Sequence, residues 1–167
     1  MGMSEILPEE LLKRANNLCR KAKEKSLTLT CAESCTGGLL SSILTDIEGL
    51  SHVFERGFVV YSNAAKCDLL GLEPALVDRC DAVSREVAEA MARGALQRSQ
   101  ADIAVAITGF AGPAGDGNEE GLVHLACARR GGRLTHREEH FGAGGRDEVR
   151  WKSIEVAIEM MAETMDG

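Results

Sequence analysis

From Pro8 onward, apolar residues recur at Leu11, Leu12, Ala15, Leu18, Cys19 and Ala22, a spacing that predicts an amphipathic helix ending near Lys25. Pro8 in its first turn and Glu9 and Glu10 at its positive end suit a helix start. Residues 27–30 alternate and predict a strand. The pattern breaks at Ala32-Glu33-Ser34-Cys35 and reopens as a helix through Thr36-Gly37-Gly38, with Leu39, Leu40, Ile43, Leu44 and Ile47 as its stripe and Glu48-Gly49 as its end. Residues 53–62 predict a second strand, with Gly57 marking a bulge. Asn63 is placed to cap a short helix over 64–70, stopped by Gly71, and 73–81 is a connector with local helical character. Ser84 caps a helix whose Val87, Ala88, Met91, Ala92, Ala95 and Leu96 share one face, and its small residues with Gly94 predict close packing on a sheet. The unbroken apolar run 101–108 predicts a buried central strand. A Gly-rich loop follows over 109–120, then a hairpin of strands 121–129 and 133–141 that turns at Gly131-Gly132. The second of these alternates as a partly exposed edge strand. A hinge-like loop at 142–145 leads into a last helix, 146–165, with Val149, Ile154, Ala157, Ile158 and Met161 inward.

Helices interleaved with strands and closed by a hairpin predict an α/β fold. The expected form is a three-layer αβα sandwich with a mixed central sheet, in one domain spanning 1–167.

Composition narrows the function. With a net charge of −7, the 167-residue chain lacks the broad basic footprint of a nucleic-acid binder. One Trp, one Tyr and four Phe offer few stacking platforms for single strands. No apolar run approaches the ~20 residues needed to cross a bilayer. The N-terminus shows no apolar signal core, so the expected location is cytoplasmic. The six cysteines form no CxxC pair and have no histidine at metal spacing, so no zinc site is expected and the thiols are read as reduced.

Four polar, Gly-punctuated turns stand out, at 33–38, 61–66, 108–113 and 141–150. In open α/β sheets, ligand sites gather where loops leave the carboxyl ends of strands. The first turn places backbone N–H groups at an exposed helix start, where they attract anions or developing negative charge. Ser34 in that turn is a candidate nucleophile, and a hydroxyl needs a base. His52, His124, His136 and His140 all lie outside these turns, so a Ser-His-Asp triad is poorly supported. Lys66, one helical turn past the second strand, can project to the same edge, and a lysine with a lowered pKa can take the Ser proton. Tyr61 would orient the pair, and oxyanion donors would come from the Cys35–Gly37 turn or the Thr108-Gly109 turn. Taken singly, each residue has a plainer reading: Ser34 as a helix cap, Lys66 as a solvated lysine, Cys35 as a small core residue, and Arg146 and Arg150 as an exposed helix face. The convergence of four turns is harder to dismiss.

Ala32-Glu-Ser-Cys-Thr-Gly-Gly38, Tyr61-Ser-Asn-x-x-Lys66, Leu70-Gly71, Ala82-Val-Ser84, Thr108-Gly-x-Ala-Gly-Pro113 and Phe141-Gly with Arg146 and Arg150 together resemble the CinA C-terminal domain family, over nearly the whole chain. The form resembled is the stand-alone nicotinamide mononucleotide deamidase, since no other CinA domain is expected before the first helix. The resemblance implies an amidohydrolase that converts nicotinamide mononucleotide to nicotinate mononucleotide and ammonia by a Ser/Lys mechanism, without metal or cofactor, in a homo-oligomer. It implies Ser34 as nucleophile, Lys66 as base and Tyr61 as support. Cys35, Thr36, Gly37, Asn63, Thr108, Gly109 and Gly112 would line the substrate, and Arg146 with Arg150 would hold its phosphate. Residues 114–120 form a shorter, more acidic loop than is usual in the family. The rival expectations are a non-catalytic nucleotide-binding or regulatory module tied to competence or DNA damage, and a hydrolase using Cys35.

Overall fold

The computed structural model describes residues 7–167; the expectation of a missing signal core rests partly on residues 1–6, outside that range. The elements are α1 (Glu9–Glu24), β1 (Leu29–Glu33), α2 (Leu39–Thr45), β2 (Phe54–Val59), α3 (Asn63–Leu70), α4 (Pro74–Cys80), α5 (Arg85–Gln97), β3 (Ile103–Gly109), β4 (Leu122–Arg129), β5 (Leu134–His140) and α6 (Arg146–Asp166). The sheet order is β2-β1-β3-β4-β5. β1 pairs parallel with β2 and β3, whereas β4 runs antiparallel to both β3 and β5. β1, β2, β3 and β5 therefore point the same way, and the four polar turns leave one common edge of the sheet.

Strand alternation sorts the core into two unlike faces. Ile103, Val105 and Ile107 of β3 and Val123, Leu125 and Cys127 of β4 pack with α1, α2 and α6. The intervening Ala104, Ala106, Ala126 and Ala128 pack with α3, α4 and α5. Alanines on that face let α5 lie close to the sheet, as the small residues of this helix predict. Gly94 carries the same closeness to α3: a Cβ there would sit 2.3 Å from the Leu70 carbonyl oxygen. Helix propensity alone favours alanine over glycine by about 1 kcal/mol. Overlap with backbone reverses that sign, so Gly94→Ala is expected to destabilise the fold by about 1–3 kcal/mol. A thermal melt checks this; an unchanged or raised midpoint contradicts it.

Several predicted boundaries move for identifiable reasons. β1 starts at Leu29 rather than 27, because Asp102 Oδ2 accepts from the Thr28 N–H at 2.8 Å and from its hydroxyl at 2.9 Å, turning Thr28 out of the strand. α2 stops at Thr45, short of Ile47. The connector at 73–81 is a helix, α4, with Pro74 at its start. The bulge in β2 is at Glu55, since Leu29 pairs with Phe54 and Thr30 with Arg56, and Gly57 pairs in register with Cys31. Gly57 instead makes room for α2: a Cβ on it would sit 2.3 Å from Ser41 Oγ. Ser62, not Asn63, caps α3, its hydroxyl accepting from the Ala65 N–H at 3.0 Å. Ser84 caps α5 as expected, through the Val87 N–H at 3.3 Å. Among the described residues no helix is long and apolar enough to cross a membrane.

Candidate active site

Ser34 lies one residue past β1. Its N–H still donates to the Ile107 carbonyl at 3.0 Å, so the central ladder fixes its backbone. Lys66 enters from α3, one turn after β2, and is almost wholly buried. Its Nζ donates to Ser34 Oγ at 3.1 Å and to the Tyr61 carbonyl at 3.4 Å. Removal from water holds the Lys66 pKa below the usual lysine range, because the charged ammonium loses hydration while the neutral amine loses little. The nearby thiols of Cys35 and Cys67 oppose that shift more weakly. A lysine of this kind is poised to accept the hydroxyl proton that it now faces.

Glu33 is the residue the sequence reading left without a role. It is fully buried on the opposite side of β1 from the alanine face. Its Oε2 accepts from the Gly38 and Leu40 N–H groups, each at 3.1 Å. Its Oε1 accepts from the Ser41 N–H at 2.8 Å and the Ser41 hydroxyl at 2.7 Å. This corrects the expectation of an open anion site at the start of α2: the chain's own carboxylate fills it. The N–H groups left over, on Cys35 and Thr36, make no backbone–backbone hydrogen bond among the described residues. Just beyond them, Gly37 and Gly38 both take left-handed backbone at φ +63° and +96° and turn the chain back towards the Glu33 carboxylate, which explains the paired glycines. The buried Thr36 hydroxyl is without a partner among the described residues.

Around the pair, Arg150 Nε donates to the Cys35 carbonyl at 2.8 Å. Arg146 lies exposed against Gly112, where a Cβ would sit 2.9 Å from its Nη2. Tyr61 reaches Lys66 through its carbonyl, and the residue as a whole is 67% exposed. Thr108 is buried and its hydroxyl donates to the Ala82 carbonyl at 2.7 Å, tying the segment before α5 to the end of β3. Gly109 packs against Leu122 and Val123, too closely for any side chain. Asn63 is exposed at the first position of α3 and makes no hydrogen bond to Ser34 or Lys66. Burial pushes the Cys35 thiol up to about 12, which suits a packing residue and not a thiolate nucleophile. The histidines stand apart: His124 stacks on His136 with ring centroids 5.3 Å apart, and His140 bonds Glu119 and Glu138.

Known proteins carry the same framework. The model of the CinA C-terminal domain matches residues 11–165. Nicotinamide-nucleotide amidohydrolase PncC of Escherichia coli K12 is 41% identical over 154 residues, covering 91% of this chain and 93% of that protein. A putative competence-damage inducible protein of Symbiobacterium thermophilum is 45% identical over 95% of this chain, which spans only 39% of that longer protein. The crystal structure of the competence/damage inducible protein CihA from Agrobacterium tumefaciens superposes with a TM-score of 0.93 at 41% identity, covering all of both chains. Sequence match, length match and a shared mixed sheet agree that the chain belongs to the CinA C-terminal domain family.

Proposed function

We propose that this protein is an amidohydrolase that releases ammonia from nicotinamide mononucleotide through a Ser34/Lys66 pair. The observation that carries the reading is the 3.1 Å approach of a buried lysine amine to the Ser34 hydroxyl at a strand-end turn. The relative named for nicotinamide-nucleotide amidohydrolysis, matched over 93% of its length, supports the substrate.

In this reading neutral Lys66 takes the Ser34 proton as Oγ attacks the carboxamide carbon. The Cys35 and Thr36 N–H groups receive the developing oxyanion. Lys66, now an ammonium, returns the proton to the departing nitrogen, and ammonia leaves. Water activated by Lys66 then cleaves the Ser34 ester and frees the carboxylate product. Mixing the protein with nicotinamide mononucleotide is expected to yield ammonia and nicotinate mononucleotide in equal amounts. Cys35→Ala is expected to keep that activity. Nucleotide binding without ammonia would favour the non-catalytic module, and loss of activity in Cys35→Ala would favour the thiol.

A further inference from the structure

The site holds two arginines four residues apart on α6, and their surroundings differ. Arg150 is half-buried, and its Nε is committed to the Cys35 carbonyl at 2.8 Å. Arg146 is exposed at the first residue of α6, and among the described residues it forms no ion pair. A peptide unit is planar and trans, so its C=O and N–H point in opposite directions. With the Cys35 carbonyl turned towards α6, the Thr36 N–H must point away from α6.

We propose that Arg150 is a positioning residue, which fixes the Cys35–Thr36 peptide so that the Thr36 N–H is held ready for the oxyanion, and that the substrate phosphate falls to Arg146. The turn needs such a clamp. Gly37 and Gly38 follow immediately, and glycine, with no Cβ, is the least restricted of residues, so peptide rotation beside them is cheap. Glu33 secures the turn downstream by holding Gly38, Leu40 and Ser41, and Ser34 is secured upstream by Ile107. Between these anchors the Gly37 N–H donates to the Ser34 carbonyl at 3.2 Å and the Leu39 N–H to the Thr36 carbonyl at 3.1 Å, which leaves the Cys35–Thr36 peptide as the unit of the turn without a backbone hydrogen bond among the described residues. Arg150 Nη2 also sits 3.5 Å from where a Gly37 Cβ would be, so the guanidinium covers the turn itself. Arg146, in contrast, lies against Gly112 at the rim, with its charge facing solvent where a dianion can approach.

The phosphate half of this inference rests on the proposed deamidase reading, while the peptide half needs only a serine nucleophile. The test compares wild type, Arg150→Ala, Arg150→Met and Arg146→Ala on nicotinamide mononucleotide and on its phosphate-free nucleoside, and measures Ser34 phosphonylation by a fluorophosphonate. Arg150→Ala is expected to lower kcat about 100-fold on both substrates with KM within about twofold, and to slow phosphonylation comparably. The preference for nucleotide over nucleoside should persist, and added guanidinium should restore part of the rate. Arg146→Ala is expected to raise KM for the nucleotide about tenfold or more and to erase that preference. Arg150→Met keeps the aliphatic stem and serves as the variant of record if Arg150→Ala does not fold. The inference is overturned if removing Arg150 raises KM with kcat retained, erases the nucleotide preference, or leaves phosphonylation unchanged. A wild type that is phosphonylated at Ser34 yet releases no ammonia sinks the deamidase reading, and the phosphonylation rates then decide the role of Arg150. A wild type inert to both reagents overturns the inference too.

Discussion

Ser34→Ala is expected to abolish ammonia release, by about a thousandfold or more, and Lys66→Met to lower it by about 10²–10⁴. The two act as one unit, so the double variant should be no worse than the poorer single one. The pH dependence follows from the lowered Lys66 pKa. Only the neutral amine can take a proton, so activity should rise with pH through that lowered value and level off above it. Lys66→Met should remove the limb altogether. Stability carries the same signature. Between the ordinary lysine pKa and the lowered folded one, the unfolded chain holds the extra proton, so wild-type stability falls as pH falls across that window. Lys66→Met has no such proton, so its stability relative to wild type should grow towards the acid side of the window. Melts across pH, run beside ammonia assays, measure both effects. Full activity in either single variant would refute the pair, and a pH-independent stability difference would refute the buried-amine account.

Glu33→Ala is expected to be among the most damaging single changes in the chain. It would leave the Gly38, Leu40 and Ser41 N–H groups and the Ser41 hydroxyl without their acceptor in a buried site. Breaking a buried charged network costs about 3–5 kcal/mol. For a chain of this size that lowers the melting temperature by roughly 10 °C or more. The turn that presents Ser34 would lose its downstream anchor, so activity should fall further than the loss of folded protein explains. Glu33→Gln is expected to be milder: an oxygen still faces Ser41, but its amide NH2 opposes the donors of Gly38 and Leu40. Calorimetry of the three proteins, with activity normalised to folded fraction, checks the ranking. A Glu33→Ala protein that melts with wild type would show that the network contributes nothing.

Periodicity made the layers readable because each helix buries a stripe and each central strand buries both faces. The apolar run at 101–108 and the small-residue helix after Ser84 correspond to β3 and α5, which pack together as expected. The pairing of Ser34 with Lys66 was readable because both follow parallel strands that end at one edge. Glu33 was not. Its donors lie five to eight residues on, and they meet its carboxylate only because two left-handed glycines fold the chain back. Those N–H groups look open in the sequence, since nothing in linear spacing tells an acceptor from outside apart from one on the preceding strand. Ser62 and Asn63 are adjacent and both suit a cap, so the choice between them depended on where β2 releases the backbone. A strand glycine marks either a bulge or a close neighbour, and Gly57 marks the neighbour, Ser41.

The strand order has a consequence for how the protein fails. Ser34 is anchored to β1, which has neighbours on both sides, whereas Lys66 follows β2, the outermost strand. Inner and outer strands of a sheet open with different free energies, the outer ones more readily. The nucleophile and its base therefore belong to units of unequal tenacity, joined across the β1–β2 seam and by the packing of α3 on α5 at Leu70 and Gly94. Peeling of β2 would separate them while the rest of the sheet stayed folded. Heat inactivation would then precede loss of helical signal, and amide exchange would quicken first in β2 and α3, with the alanine-faced core holding on long after the chemistry had stopped.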